Sequence, residues 1–109
     1  MDRCLAILGM AKKAGFLAVG GEAVALAARH GKTKLIITAT DASDGSVRRA
    51  KHGAEVGRAR YLPVPYTMFE LGNVAGYGSP GTIAFLDKGL AQSFEKRLAE
   101  KGNAKEVDA

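Results

Sequence analysis

The chain has 109 residues, 47% of them apolar and 25% charged, so it can build one hydrophobic core but is too short for two. Its net charge of +5 suits a nucleic acid or another acidic partner. No apolar run approaches the ~18–20 residues needed to cross a bilayer, and the N-terminus has no signal-peptide pattern, so a membrane partner is excluded and a cytoplasmic protein is expected. The single cysteine, Cys4, rules out an internal disulfide or a cysteine-based zinc site and reads as a small apolar residue of the first helix.

Residues 2–14 predict a helix with Leu5, Leu8 and Ala11 at three-residue spacing, Lys12 and Lys13 in its last turn and Gly15 as its stop. A short strand over 16–19 follows. Gly20-Gly21 then opens a compact helix over 22–30, with Ala23, Leu26 and Ala27 expected to face inward and Gly31 ending it. The apolar run from Leu35 to Ala39 is too short for a helix between turns and reads as the buried central strand.

Ser43 is placed to cap a third helix that runs to about Ala59. At ~100° per residue, Val47, Ala50 and Ala54 share its inner face and Arg48, Lys51, His52, Glu55 and Arg58 its outer one. Gly45, Gly53 and Gly57 count against that helix on propensity. Leu62-Pro63-Val64-Pro65 suits an edge strand, since proline cannot donate to a ladder. Thr67 caps a short helix with Leu71 and Val74 inward. After the turn over 76–81, residues 82–86 form a strand, and Leu90, Phe94 and Leu98 share one face of a last helix. Residues 102–109 read as a polar, disordered tail beyond a domain over 1–101.

This alternation predicts an α/β fold, a three-layer αβα sandwich with a four-stranded mixed sheet. Segments 16–19 and 35–40, each followed by a helix, are expected to form a parallel βαβ unit that carries Gly20-Gly21 to the carboxyl edge of the sheet.

That glycine pair is the main candidate for chemistry. It lets main chain approach a ligand closely, and the first turn of the following helix offers unpaired N–H groups and a positive dipole end, a natural phosphate site. Between residues 29 and 60 the cations Arg29, Lys32, Lys34, Arg48, Arg49, Lys51, Arg58 and Arg60 face only Asp41, Asp44 and Glu55, a surplus equal to the whole net charge. Lys32 and Lys34 are expected beside the glycine loop as phosphate contacts. Glu22 either complements the helix dipole or contacts a bound nucleic acid, and Tyr77 either packs under its own loop or stacks on a base. His30 and His52 fall on different elements, with no paired cysteine or nucleophile elbow nearby, so no catalytic residue, cofactor or metal ligand is assigned.

The runs AKKAG at 11–15, VGGEAVALAARHGKTKLIITATDAS at 19–43, LPVPYTMFELGNVAG at 62–76 and TIAFLDKGLA at 82–91 together resemble the kink-turn-binding ribosomal protein family typified by archaeal ribosomal protein L-seven-Ae. They look closest to its small bacterial RNA-binding homologues, and the resemblance covers residues 2–100. It implies a structured RNA partner, ribosomal RNA included, held by two neighbouring loops. By position, Gly20, Gly21 and Glu22 begin the second helix at the first loop, Ser43 follows the central strand, and Tyr77, Gly78, Ser79 and Pro80 form the second loop. Where the well-studied binders carry Gly-x-Asn-Glu-x-x-Lys, this chain has Gly20-Gly21-Glu22-Ala23-Val24-Ala25-Leu26, and Met68 stands at a further position that is basic in them. The alternative expectation is a protein-interaction module of the same fold that docks an acidic or ribosome-associated partner.

Overall fold

The computed structural model describes residues 2–76 and 78–108, with 102–108 in backbone alone. Helix α1 (Arg3–Lys13) starts where the Asp2 carboxylate accepts hydrogen bonds from the Cys4 and Leu5 amides at 2.8 and 3.3 Å. Strand β1 (Leu17–Val19) leads through Gly20 into α2 (Gly21–Arg29). Strand β2 (Leu35–Thr38) is buried at every position and precedes α3 (Asp44–Gly57), which Ser43 caps by accepting the Ser46 amide at 3.1 Å. After β3 (Arg60–Pro63) comes α4 (Met68–Ala75), begun by a reciprocal Thr67–Glu70 capping box. Strand β4 (Thr82–Phe85) and α5 (Lys88–Asp108) complete the order. The polar segment expected as a tail falls on the backbone end of α5.

The sheet has the order β1-β4-β2-β3, with β4 antiparallel to both neighbours and β2 parallel to β3. The βαβ unit expected of β1 and β2 is therefore a split one. The two strands do run the same way, but β4 lies between them, with Leu17 opposite Phe85 on one side and Leu35 opposite Phe85 on the other. The reason is burial: all of β4 is apolar or buried on both faces, so it belongs inside the sheet, whereas β3, with Pro63 in it, takes the edge.

Strict alternation along the two inner strands separates two cores. Leu35, Ile37, Ile83 and Phe85 face α1, α4 and α5, where Phe85 meets Phe94 with ring centroids 5.1 Å apart. Ile36 and Ala84 face α2 and α3, with Ala18, Val24, Ala27, Ala50 and Ala54. The result is the three-layer sandwich, with a mixed sheet between layers of unequal bulk.

On α2 the inward stripe is Val24, Ala27 and Ala28, while Ala23 and Leu26 point to solvent, Leu26 at 50% exposure. The segment AVALAA contains two overlapping apolar stripes, and only docking on the sheet selects one. The glycines of α3 prove to be contact residues. A Cβ at Gly53 would make an ordinary contact 3.5 Å from Ile36 Cδ1, but one at Gly57 would lie 3.2 Å from Ala28 Cα, so α3 passes close over α2 at Gly57 because that position carries no side chain. That close approach offsets the propensity cost. Val47 and Val74 are half-buried, and Cys4, Ala50, Ala54 and Leu71 are buried as expected.

Candidate nucleic-acid interface

The strand directions bring three chain segments to one edge of the sheet: the turn after β1, the turn after β2 and the approach to β4. Main-chain hydrogen bonds fasten them together, with the Gly20 amide donating to Thr82 O at 2.9 Å and the Ala39 amide donating to Gly81 O at 3.0 Å. Asp41 Oδ1 accepts the Met68 amide at 2.8 Å and so ties the start of α4 to the same edge. Gly81 lies at the centre, where a Cβ would stand 3.6 Å from Ala42 Cβ and 3.7 Å from both Met68 Sδ and Ser46 Oγ.

Gly20 turns the chain into α2 at φ 95°, ψ 157°, a backbone state that side chains rarely tolerate. Gly20 supplies no capping side chain, so the first amides of α2 are left uncapped, and nothing lies within 4 Å of a Cβ built on Gly20 or Gly21. A groove of about 460 Å³ runs there, lined by residues 19–23 on one side and by Gly78, Ser79 and Pro80 on the other. The two loops named for RNA contact therefore share one surface. Gly78 and Ser79 are exposed, Pro80 is buried and anchors the loop, and Glu22 is exposed in the first turn of α2. Ser43 is engaged as the α3 cap and also donates to Ser46 Oγ at 3.0 Å. Tyr77 lies outside the described residues.

Lys32 and Lys34 are not beside the glycine loop. The Lys34 amide donates to Phe85 O at 2.8 Å, at the end of β4 opposite Thr82, so both lysines belong to the far edge of the sheet. Their distance in sequence from Gly20 is one helix long, and a helix that packs back across a sheet delivers its ends to opposite edges. The loop edge draws its positive charge from Arg48 and Arg49 instead. A Cβ at Gly45 would have Arg49 Nη1 at 3.6 Å and Arg48 Nη2 at 3.8 Å, so both guanidinium groups fold back over the first turn of α3. The sequence signal was available: helical side chains lean toward the N-terminus, and cations three and four residues after Gly45 reach its turn. Sequence reasoning also passed over Phe69, which is 68% exposed next to Met68 at the start of α4.

A second cleft, about 320 Å³, opens from the same edge between α2 and α3. Val24, Ala28, Ala50 and Gly53 floor it, and Arg29, Arg49 and His52 stand at its rim.

On the other layer the same end of the molecule carries a polar strap. Asp2 Oδ2 accepts the Tyr66 hydroxyl at 2.8 Å and the Lys101 ammonium at 2.7 Å. Burial alone would raise the Asp2 pKa, but the bonds from Lys101, Tyr66 and the Cys4 and Leu5 amides prevail and hold it at about 2. Burial, and then the acceptor Asp2, push the Tyr66 phenol well above its ordinary range, and burial chiefly raises the Cys4 thiol as well. A thiol shifted that way is a poor nucleophile. Among the described residues, no group of His, Cys, Asp and Glu side chains stands together as a metal site. Nor is any helix there long and apolar enough to cross a membrane.

No family model matches the chain, and no curated protein matches it in sequence. Solved structures do. A protein of unknown function from Bacillus halodurans C superposes with a TM-score of 0.81 at 22% identity, over 91% of this chain and 99% of its own. The Giardia lamblia 15.5kD RNA binding protein superposes with a TM-score of 0.68 at 14% identity, over 88% of this chain and 82% of its own. At these identities the likeness is one of fold.

Proposed function

We propose that this chain is a non-catalytic, cytoplasmic RNA-binding protein of the L-seven-Ae type, holding a structured, ribosomal or kink-turn-like RNA across its loop edge. The observation that carries this reading is the single groove formed by residues 19–23 and 78–80, two segments far apart in the chain. Its fold likeness to an RNA-binding protein supports it. In the proposed complex the uncapped amides of α2 and the guanidinium groups of Arg48 and Arg49 hold backbone phosphates, while Gly78 and Ser79 pack against bases turned out of the stem. Glu22 accepts from a guanine edge rather than meeting phosphate, which it would repel. With Ala23 and Leu26 apolar and exposed, α2 contributes backbone and shape more than side-chain readout.

A second reading, a protein-interaction module of the same fold, is favoured by the exposed Leu26 and Val56 on the outer faces of α2 and α3. Titration against a kink-turn RNA, an unkinked control and ribosomal RNA fragments at two salt concentrations separates the two. RNA binding predicts preference for a bent or irregular RNA and a steep loss of affinity with salt. Absent binding, or equal and salt-insensitive binding to every RNA, leaves the interaction module in its place.

A further inference from the structure

The far edge of the sheet holds a separate pocket of about 580 Å³, between the end of α2, the turn from α3 into β3 and the start of α5. Lys34, Arg58, Arg60 and Lys88 line it, and the one carboxylate in its lining, Glu95, is already paired with Arg60 at 3.1 Å. Lys34, Arg58 and Lys88 form no ion pair among the described residues. Arg58 is also the one non-glycine among them with positive φ, 53°, where the end of α3 turns toward β3. A left-handed residue at a helix end is usually glycine or asparagine, so an arginine there is a costly choice on backbone grounds.

Thr33 belongs to the same lining. It is 2% exposed, and its Oγ1 has no hydrogen-bond partner among the described residues. Buried hydroxyls almost always have one. Gly57 is what leaves room for this oxygen, because a Cβ there would collide with it. That oxygen is enclosed under Gly57 and does not face the pocket; the pocket itself, concave and with surplus cations, is built for an anion.

We propose that this far-edge pocket binds a phosphate group, with Lys34, Arg58 and Lys88, which form no ion pair among the described residues, supplying charge from its walls. The phosphate is that of a free mononucleotide or of an RNA backbone; both present the same oxygens. The site goes beyond the loop-edge reading and stands without it, since no residue lines both pockets.

The test follows the backbone amide resonances of Thr33, Lys34, Gly57 and Arg58 during titration with inorganic phosphate, AMP and a short RNA duplex. Saturable shifts are expected, from AMP if the source is a free nucleotide and from the duplex if it is RNA backbone. Lys34→Glu with Lys88→Glu should abolish them. Arg58→Gly should weaken binding roughly fivefold while leaving the melting temperature unchanged or higher, because glycine adopts the positive φ there without strain. Three outcomes overturn the proposal: no saturable shift with any probe, shifts that survive the double charge reversal, or Arg58→Gly binding as tightly as the parent. Arg48→Glu with Arg49→Glu, at the other edge, should leave these shifts intact, so failure of the RNA reading and failure of this one are told apart.

Discussion

The loop edge and the far edge of this sheet differ in what they offer an anion. At the loop edge the offer is main chain: Gly20 in a conformation that side chains avoid, uncapped amides at the start of α2, and a second loop across a groove, with Glu22 on the same surface. At the far edge it is side-chain charge, four cations around a pocket with one paired carboxylate. Backbone donors have fixed geometry and select shape, whereas long cationic side chains supply attraction with little selectivity. A basic protein can therefore divide its offer to anions between a surface shaped by main chain and one supplied mostly by side-chain charge.

If the loop edge works through its backbone, Gly20→Ala should have the largest effect. It should cost ~1–3 kcal/mol in urea denaturation and RNA binding with it, while Gly21→Ala, in ordinary helical geometry, should change stability by less than ~1 kcal/mol. Equal effects at the two glycines would break the contrast. Next in size, Arg48→Glu with Arg49→Glu should weaken a short structured RNA roughly tenfold or more at low salt and flatten the salt dependence. The matching change at Lys32 and Lys34 should cost less than about twofold for an RNA too short to reach the far edge. Similar losses for both pairs would show that the edges act as one surface.

The smallest expected effect concerns the strap behind the loop edge. Because the Asp2 pKa is lowered from 3.8 to about 2 in the folded chain, its contribution to stability is complete above about pH 4 and disappears as pH falls toward 2. Asp2→Asn should therefore make the acid branch of the melting-temperature profile shallower, and lower stability at neutral pH by on the order of 1 kcal/mol, since the pair with Lys101 is partly exposed. An acid branch that is unchanged in the variant would assign the loss to other carboxylates.

Much of the fold was legible because its signals are local. Ser43 and Thr67 cap helices as expected, Gly31 closes the turn after α2 at φ 68°, and the prolines after Leu62 mark an edge strand. What escaped was relational. The inward stripe of α2 depended on a sheet face that the sequence does not display. Gly57 looked like a helix defect because the partner it admits, Ala28, lies on another helix. Gly78, Ser79 and Pro80 were legible as the loop opposite Gly20, whereas Lys32 and Lys34 were misplaced because nearness in sequence was taken for nearness in space.

The sequence by itself determined the succession of helices and strands, their caps, and a basic middle segment, since each of these rests on residues within about a turn of one another. The tertiary structure alone decided that β4 separates β1 from β2, that Lys32 and Lys34 lie away from the loop edge, and that Thr33 meets Gly57 at the opposite one. Those outcomes depend on which buried faces pair across the sheet, and burial is a property of contacts between distant segments that no local pattern encodes.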